Sequence, residues 1–317
     1  MLRLGIIGTG IMGANHARIA ALHRGIELVA VVDPALDRAE RLATTYGATA
    51  YTELDDCLGE INCAIVATPT ELHHEIGMRL LGAGINTLIE KPIAETVEQA
   101  TELIETAARR GAILTVGHVE RFNPAVLELD NLITQPLHIT ANRVSPYSSR
   151  VTVGVVLDLM VHDLDIVAKL AGSPVKRLQA SALTVKSDSE DLATVLLEFE
   201  NGVSATLTAS RIGQQKIREI TVTQPDTFVT IDLLRQDVTI NRVDHSEYLS
   251  AEGARYRQMG VVEIPFLEHR GEPLALELDE FVLTIQDGRT PRVTGEDGRA
   301  ALALALQIVD AAAALAT

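Results

Sequence analysis

Three groups of residues have the types and spacings to do chemistry. The first is Gly8-Thr9-Gly10-Ile11-Met12-Gly13, which interrupts an apolar run, Leu2 to Ile7, and leads into a helix-like stretch from Ala14 to Arg24. Strand, tight turn and helix in that order cradle a pyrophosphate. Gly8 permits the turn, Gly10 lets the phosphates approach the backbone, and Gly13 lets helix and strand pack closely. The first helical N–H groups and the helix dipole then face the phosphates. The spacing alone is a weak signal, but a second apolar run, Ile26 to Val32, ends at Asp33, twenty residues after Gly13. A dinucleotide-binding fold places its ribose-binding acid there. A carboxylate at that point accepts hydrogen bonds from a free 2′-hydroxyl and repels a 2′-phosphate, which predicts NAD rather than NADP. The plainer alternative is that Asp33-Pro34 only turns the chain.

The second is Lys91, just beyond the apolar run Ile85 to Ile89. A lysine at the end of a buried strand can be partly desolvated, and desolvation lowers an ammonium's pKa and makes it a better proton acceptor. A solvated loop lysine that keeps its charge is the competing reading. The third is Asp158, His162 and Asp165, at i, i+4 and i+7, which share one face of a helix. Lys169 extends that stripe, and most other positions from Leu157 to Leu170 are apolar. A narrow polar stripe on an apolar helix is either a solvent face or the wall of a site, and the pattern alone leaves both open.

The elements that must position these groups alternate in type. After Asp33, the pattern predicts a helix over 35–45, a short strand over 48–51, a brief helix over 53–58 and a buried strand over 61–67 that stops at Thr68-Pro69-Thr70. A helix over 71–81, the strand 85–89 closing on Glu90-Lys91-Pro92, a long helix over 94–110 and a strand over 112–116 ending at Gly117-His118 follow. Strands separated by helices imply a parallel sheet, with ligands outside the carboxyl ends of its strands. Asp33, Thr68 to Thr70, Glu90 to Pro92 and His118 all fall at those ends. His73 and His74 are adjacent, so on a helix they diverge; His73 is expected to cap or pack near the cofactor loop.

From about residue 120 the grammar changes. A helix is expected over 122–132, a strand over 137–144 and a helix over 156–170, then strands over 178–185, 193–199, 203–210, 217–223, 227–232 and 237–240. Asn201-Gly202 is a hairpin signal. Consecutive strands with short links predict a mostly antiparallel sheet. Residues 241–272 read as irregular, and two helices, 274–286 and 298–315, close the chain. The predicted fold class is α/β: an N-terminal Rossmann dinucleotide-binding domain over residues 1–119, and a C-terminal α+β domain with a large, mostly antiparallel open sheet over residues 120–317. The last helix could pack back on the first domain.

Composition narrows the function classes. The 317 residues are 47% apolar, with no tryptophan and 3% aromatics, so two cores must be built from Leu, Val, Ile and Ala. A net charge of −16 argues against a nucleic-acid partner, which needs a basic face. An anionic ligand must then be held by local Arg, Lys and backbone N–H groups. The two cysteines have no metal-finger or redox-motif spacing. No apolar run approaches the roughly 20 residues of a membrane span, and Met1-Leu2-Arg3 leads straight into the first strand. A soluble, cytoplasmic protein is expected.

The chain resembles the Gfo/Idh/MocA oxidoreductase family over nearly its whole length. The resemblance rests on the glycine fingerprint, Ala67-Thr68-Pro69-Thr70 with His73, Glu90-Lys91-Pro92 and Asp158-x-x-x-His162. It extends to Leu276-Glu277-Leu278-x-x-Phe281 and Pro291-x-Val293-Thr294-Gly295-Glu296-Asp297-Gly298. Gly117 to Val126 and Val155 to Asp165 further resemble the nucleotide-sugar branch, particularly UDP-N-acetylglucosamine 3-dehydrogenases. The resemblance implies an NAD-dependent dehydrogenase that oxidises a secondary sugar hydroxyl, C3 of UDP-N-acetylglucosamine in that branch. It also implies an aminotransferase that consumes the ketone for lipid A or glycan assembly, and a homodimer or homotetramer. Lys91 would then lie beside nicotinamide and substrate, His162 would be base or proton relay, and Asp158 a ligand of a substrate hydroxyl. Asp163 and Asp165 with His162 could suit a metal, but the resemblance implies none. The cofactor residues would be Gly8 to Gly13, Asp33, Thr68, Pro69, Thr70, His73, Glu90 and Lys91. His118, Arg121 and Asn123 would line the substrate crevice. Arg143, Tyr147 and Arg150 are candidates for the UDP moiety, since an Arg fork suits a diphosphate. A dehydrogenase of a free polyol such as inositol is the alternative substrate reading, and a non-catalytic NAD-sensing or scaffold protein is the alternative of another class.

Overall fold

The computed structural model describes residues 1–148, 153–250 and 253–315. The chain divides into two compact units: Met1–Phe122 with Gly271–Ala303, and Asn123–Arg270 with the residues from Leu304 onward.

In the first unit, six short strands form a parallel sheet: β1 (Leu2–Ile7), β2 (Ile26–Val32), β3 (Thr49–Tyr51), β4 (Cys63–Val66), β5 (Asn86–Glu90) and β6 (Leu114–Gly117), in the order β3-β2-β1-β4-β5-β6. The order reverses between β1 and β4, which creates the crevice where open α/β sheets bind ligands. The central strands read as unbroken apolar runs because helices cover both faces; all four residues of β4 are buried. The helices are α1 (Ile11–Leu22), α2 (Leu36–Tyr46), α3 (His73–Gly82) and α4 (Val97–Arg110). Local chemistry sets the start and stop of α4. The Thr96 hydroxyl accepts from Gln99 N–H at 3.2 Å, the Gln99 side chain accepts from Thr96 N–H at 3.3 Å, and Gly111 ends the helix in the left-handed region. The predicted helix over 53–58 is a single 3-10 turn, Leu54–Asp56.

The second unit holds an eight-stranded sheet. Two short helices, α5 (Pro124–Leu127) and α6 (Leu129–Leu132), stand where one was expected, and α7 (Val161–Ala171) packs on the sheet. The strands are β7 (His138–Val144), β8 (Val175–Leu183), β9 (Leu192–Phe199), β10 (Ser204–Ser210), β11 (Ile217–Thr223), β12 (Phe228–Asp232), β13 (Asp237–Ser250) and β14 (Gly253–Glu263), in the order β14-β13-β12-β11-β7-β10-β9-β8. All neighbours are antiparallel except β7 and β10. Strict alternation along β7 turns Ile139, Ala141 and Arg143 to the buried face. That face packs against Val156, Met160, Leu164 and Val167 in one continuous core.

Two expectations are corrected here. Residues 241–263 are not irregular, because β13 and β14 pair from Ile240↔Glu263 to Ser250↔Gly253. Their sequence carries no alternating apolar face, so periodicity does not reveal them. The stretch before α7 is not plain helix either, since Val156–Met160 form a π-turn.

The chain then returns to the first unit. Helix α8 (Pro273–Asp287) buries Leu274, Leu278, Phe281 and Val282 in the core that holds Leu4, Ile6 and Val31. The long α9 (Gly295–Leu315) starts in the same unit, and from Leu304 it joins the core of the second. The boundary therefore falls at Phe122/Asn123, and residues 271–303 group with the Rossmann sheet rather than with the 120–317 domain expected from sequence. No helix among the described residues is long and apolar enough to cross a membrane.

Candidate active site

The glycine turn after β1 has the geometry its sequence predicts. Gly8 sits at φ +96°, and a Cβ there would stand 2.7 Å from the Ala67 carbonyl oxygen. A Cβ on Gly13 would stand 1.9 Å from the Gly8 carbonyl oxygen, so that residue is what allows α1 to pack against the turn. Around Gly10, by contrast, a Cβ would meet nothing within 4 Å, which leaves its backbone open to a ligand. A cavity of about 520 Å³ opens beside it, lined by Thr9, Gly10, Ile11, Arg38, Arg41, Leu42 and Thr45. Met12 packs against the core behind the turn.

Asp33, at the end of β2, organises this turn. Its Oδ2 accepts from Thr9 N–H at 3.0 Å and from the Thr9 hydroxyl at 2.6 Å, and its Oδ1 accepts from Ala35 N–H at 3.0 Å. Burial alone would raise its pKa. The Thr9 hydroxyl, the Ala35 and Thr9 amides and the nearby Arg38 charge outweigh that and hold it below the usual carboxylate value. The fixed anion, the open Gly10 backbone and the helix N-terminus fit a dinucleotide, with the acid toward a ribose and the amides toward its phosphates. Arg38 and Arg41 border the cavity and were not singled out from sequence, because surface arginines on a helix carry no distinguishing pattern.

The other strand ends of the sheet gather around Lys91. The Lys91-Pro92 bond is cis. His73, 1% exposed, clamps two loops, with Nδ1 2.8 Å from the Pro92 carbonyl and Nε2 2.9 Å from the Thr68 carbonyl. Pro69 precedes the 3-10 turn Thr70–Leu72 that leads into α3. Lys91 itself is half-buried, and its N–H donates to Glu90 Oε2 at 3.3 Å. Glu90 is buried, and its Oε1 lies 2.8 Å from His16 Nε2. His16 and Glu277, which approach this carboxylate, were missed as site residues. His16 follows Gly13 by three positions, and Glu277 stands in the Leu276-Glu277-Leu278-x-x-Phe281 string, but neither setting marks a side chain that reaches Glu90. His118 and Arg121 are buried in the turn after β6, Arg121 within 3.7 Å of Asp297.

In the second unit, the π-turn changes the phase between Asp158 and His162, and both are half-buried. Asp165 is buried and Lys169 is exposed, bonded to Asp130 at 2.9 Å, so the stripe is not a uniform solvent face. Arg143 is 1% exposed and forks onto Asp163, with Nε and Nη2 at 2.8 and 2.7 Å from its two oxygens. The fork that sequence reading allots to a diphosphate is engaged inside the protein, as is the Asp163 carboxylate considered for a metal. Asn123 is likewise built in: its Nδ2 donates to the Leu233 carbonyl at 2.9 Å and its Oδ1 caps α5 through Ala125 N–H at 3.1 Å. Tyr147 is partly exposed, its hydroxyl donates to the Lys186 carbonyl, and Lys186 Nζ lies 5.5 Å from the ring centre. Arg150 lies outside the described residues.

Comparison with known proteins decides the family. Residues 2–118 match the oxidoreductase family with an NAD-binding Rossmann fold, and residues 128–224 match the GFO/IDH/MocA C-terminal domain. The chain belongs to the Gfo/Idh/MocA oxidoreductases. It is 30% identical over 310 residues to a UDP-N-acetylglucosamine 3-dehydrogenase of Acidithiobacillus ferrooxidans, covering 97% of this chain and 96% of that protein. A solved structure of that name and organism superposes with a TM-score of 0.89 over 99% of this chain and 98% of the other. The scyllo-inositol 2-dehydrogenase (NAD(+)) of Bacillus subtilis is 27% identical over 93% of this chain and 90% of its own. Levoglucosan dehydrogenase in complex with NADH and levoglucosan shares the fold at 19% identity, with a TM-score of 0.83 over 98% and 97% of the two chains. This Gfo/Idh/MocA member is therefore an NAD-binding oxidoreductase acting on CH–OH groups.

Proposed function

We propose that this enzyme oxidises a secondary hydroxyl of a nucleotide sugar, C3 of UDP-N-acetylglucosamine, to a 3-keto sugar. The full-length match to the UDP-N-acetylglucosamine 3-dehydrogenase, in sequence and in fold, carries the reading. Bound NAD supplies the hydride acceptor. Lys91 takes the hydroxyl proton, held in place by a turn whose backbone is pinned through Glu90 and His73. His162 serves as base or relay and Asp158 binds a sugar hydroxyl, both half-buried and so both partly shielded from water. His118, Arg121 and Tyr147 remain candidates for substrate contacts. Asp33, with the Gly8 to Gly13 turn, binds the adenosine ribose and phosphates. Free polyol oxidation is the second reading, supported by the inositol dehydrogenase at 27% identity. The product ketone suits an aminotransferase as the next enzyme, and the open sheet of the second unit suits self-association.

The test is NADH formation followed by absorbance with NAD and UDP-N-acetylglucosamine, with and without a coupled 3-aminotransferase and glutamate. The coupling removes an unfavourable ketone and so reveals activity that equilibrium would hide. NADH formed with the nucleotide sugar and not with inositol supports the first reading; turnover of inositol alone discards it and leaves the family and Lys91 standing.

A further inference from the structure

The first unit buries three ionisable side chains from three elements: His16 of α1, Glu90 at the end of β5 and Glu277 of α8. One potential ligand atom from each lies within 4.8 Å of the others. Glu90 is satisfied, by His16 on one oxygen and the Lys91 N–H on the other. Glu277 is not: it is 2% exposed and neither carboxyl oxygen has a hydrogen-bond partner. An ionised carboxylate with no donor, beside a second carboxylate, is among the costliest arrangements a protein interior can hold. A protonated one is an ordinary buried polar group that brings its own donor, and Glu90 is the anion it faces.

We propose that Glu277 is a neutral carboxylic acid and a positioning residue, which leaves Glu90 as the single anion of the cluster and so fixes the turn that carries Lys91. Burial, and then the Glu90 charge, both favour the protonated form of Glu277. The other charged groups on elements packed against α8 do not replace that proton. Arg18 and His23 of α1 are bonded to Glu272 and Asp279, and Arg121, in the turn after β6, faces Asp297. Glu120 in that turn is a further buried acid. Gly117 completes the packing, since a Cβ there would stand 3.0 Å from Glu90 Oε2. Displacement of Glu90 by a second negative charge would therefore be felt at the Lys91 N–H.

The experiment compares the full-length wild type with Glu277→Gln and Glu277→Met. Glutamine keeps a neutral side chain with a donor; methionine keeps the volume and removes the donor. The first readout is unfolding equilibrium against pH, above the ordinary glutamate value of 4.5. A folded-state pKa above the unfolded one means that stability falls as pH rises through that window. The wild-type folding constant should thus decline relative to that of Glu277→Gln by up to about tenfold per pH unit. Parallel curves would show that Glu277 carries no extra proton and would overturn the proposal. The second readout is the rate at which Lys91 is acylated by a soluble N-hydroxysuccinimide ester, followed by mass spectrometry, which needs no substrate. The rate should be retained in Glu277→Gln and changed severalfold in folded Glu277→Met; a rate in Glu277→Met equal to wild type would deny Glu277 a positioning role. One equivalent of metal in the purified wild type, lost in Glu277→Gln, would also overturn it, in favour of a cation between the carboxylates. Because none of these readouts uses turnover, their failure is distinct from failure of the nucleotide-sugar reading.

Discussion

Arg143 and Asp163 in the second unit, and His16, Glu90 and Glu277 in the first, are both buried ionic groups, and they balance their charge differently. The Arg143 guanidinium meets both oxygens of Asp163, so the charges cancel within one pair of side chains. In the first unit two carboxylates face one imidazole, and Glu277 is left with no partner for either oxygen. The contrast separates a brace from a device. A closed pair asks nothing of its surroundings and holds β7 to α7. On our proposal the open triad takes up a proton, and its Glu90 also accepts from the Lys91 N–H at 3.3 Å.

The largest expected effect tests the closed pair. Arg143→Met strands Asp163 in the core and should cost about 3–5 kcal/mol of unfolding free energy, whereas the double variant Arg143→Met/Asp163→Leu should recover most of it. Denaturant unfolding measures both. Should the single variant instead keep its stability and raise the KM for the nucleotide sugar, Arg143 belongs to substrate recognition, as its sequence setting suggested, and the contrast with the triad collapses.

A smaller effect tests the open side. Lys91→Met should lose at least about a hundredfold in kcat, roughly 2.7 kcal/mol of transition-state stabilisation. NAD affinity, measured by titration calorimetry, should stay within about twofold, since the pyrophosphate turn is built from other residues. Near-normal turnover would remove Lys91 from the mechanism and leave the triad with nothing to position.

Sequence made the first unit more legible than the second because its information is local. Gly8, Gly10, Gly13 and Asp33 declare themselves by spacing, and the apolar runs of a doubly covered parallel sheet stand out against the helices between them. Strand ends were equally readable, and Thr68, Glu90 and His118 do fall at the carboxyl ends of β4, β5 and β6. What stayed hidden depends on contacts between residues distant along the chain. Glu277 meets Glu90 across 187 positions, so no window reveals it. Arg143 has the same composition signal whether it faces solvent, a diphosphate or Asp163. The π-turn at Val156–Met160 hides in a stretch whose apolar spacing suits an α-helix just as well, and the β13–β14 ladder hides behind side chains without alternation.

The smallest effect concerns a third acid, Asp33, which shares its unit with Glu277 and is shifted in the opposite direction. Burial pushes both upward, Glu277 more strongly because it is the more deeply buried, so what separates them is what opposes that push. Asp33 has Thr9 and Ala35 as donors and Arg38 nearby; Glu277 has none. At Asp33 the donors and Arg38 outweigh burial; at Glu277 burial and the Glu90 charge go unopposed. Asp33→Ser should narrow the preference for NAD over NADP by about tenfold, or about 1.4 kcal/mol, because it removes both a ribose hydroxyl acceptor and the repulsion of a 2′-phosphate. The same variant tests the titration. A folded-state pKa below the unfolded value contributes stability that is complete above the ordinary 3.8 and is lost as pH falls through the folded value. The stability gap between wild type and Asp33→Ser should therefore be widest at neutral pH and close on the acid side, the reverse of the slope expected of Glu277. If the gap stays constant through that acid window, the Thr9 and Ala35 bonds do not hold the carboxylate charge. Asp33 and Glu277 would then no longer differ for the reason given.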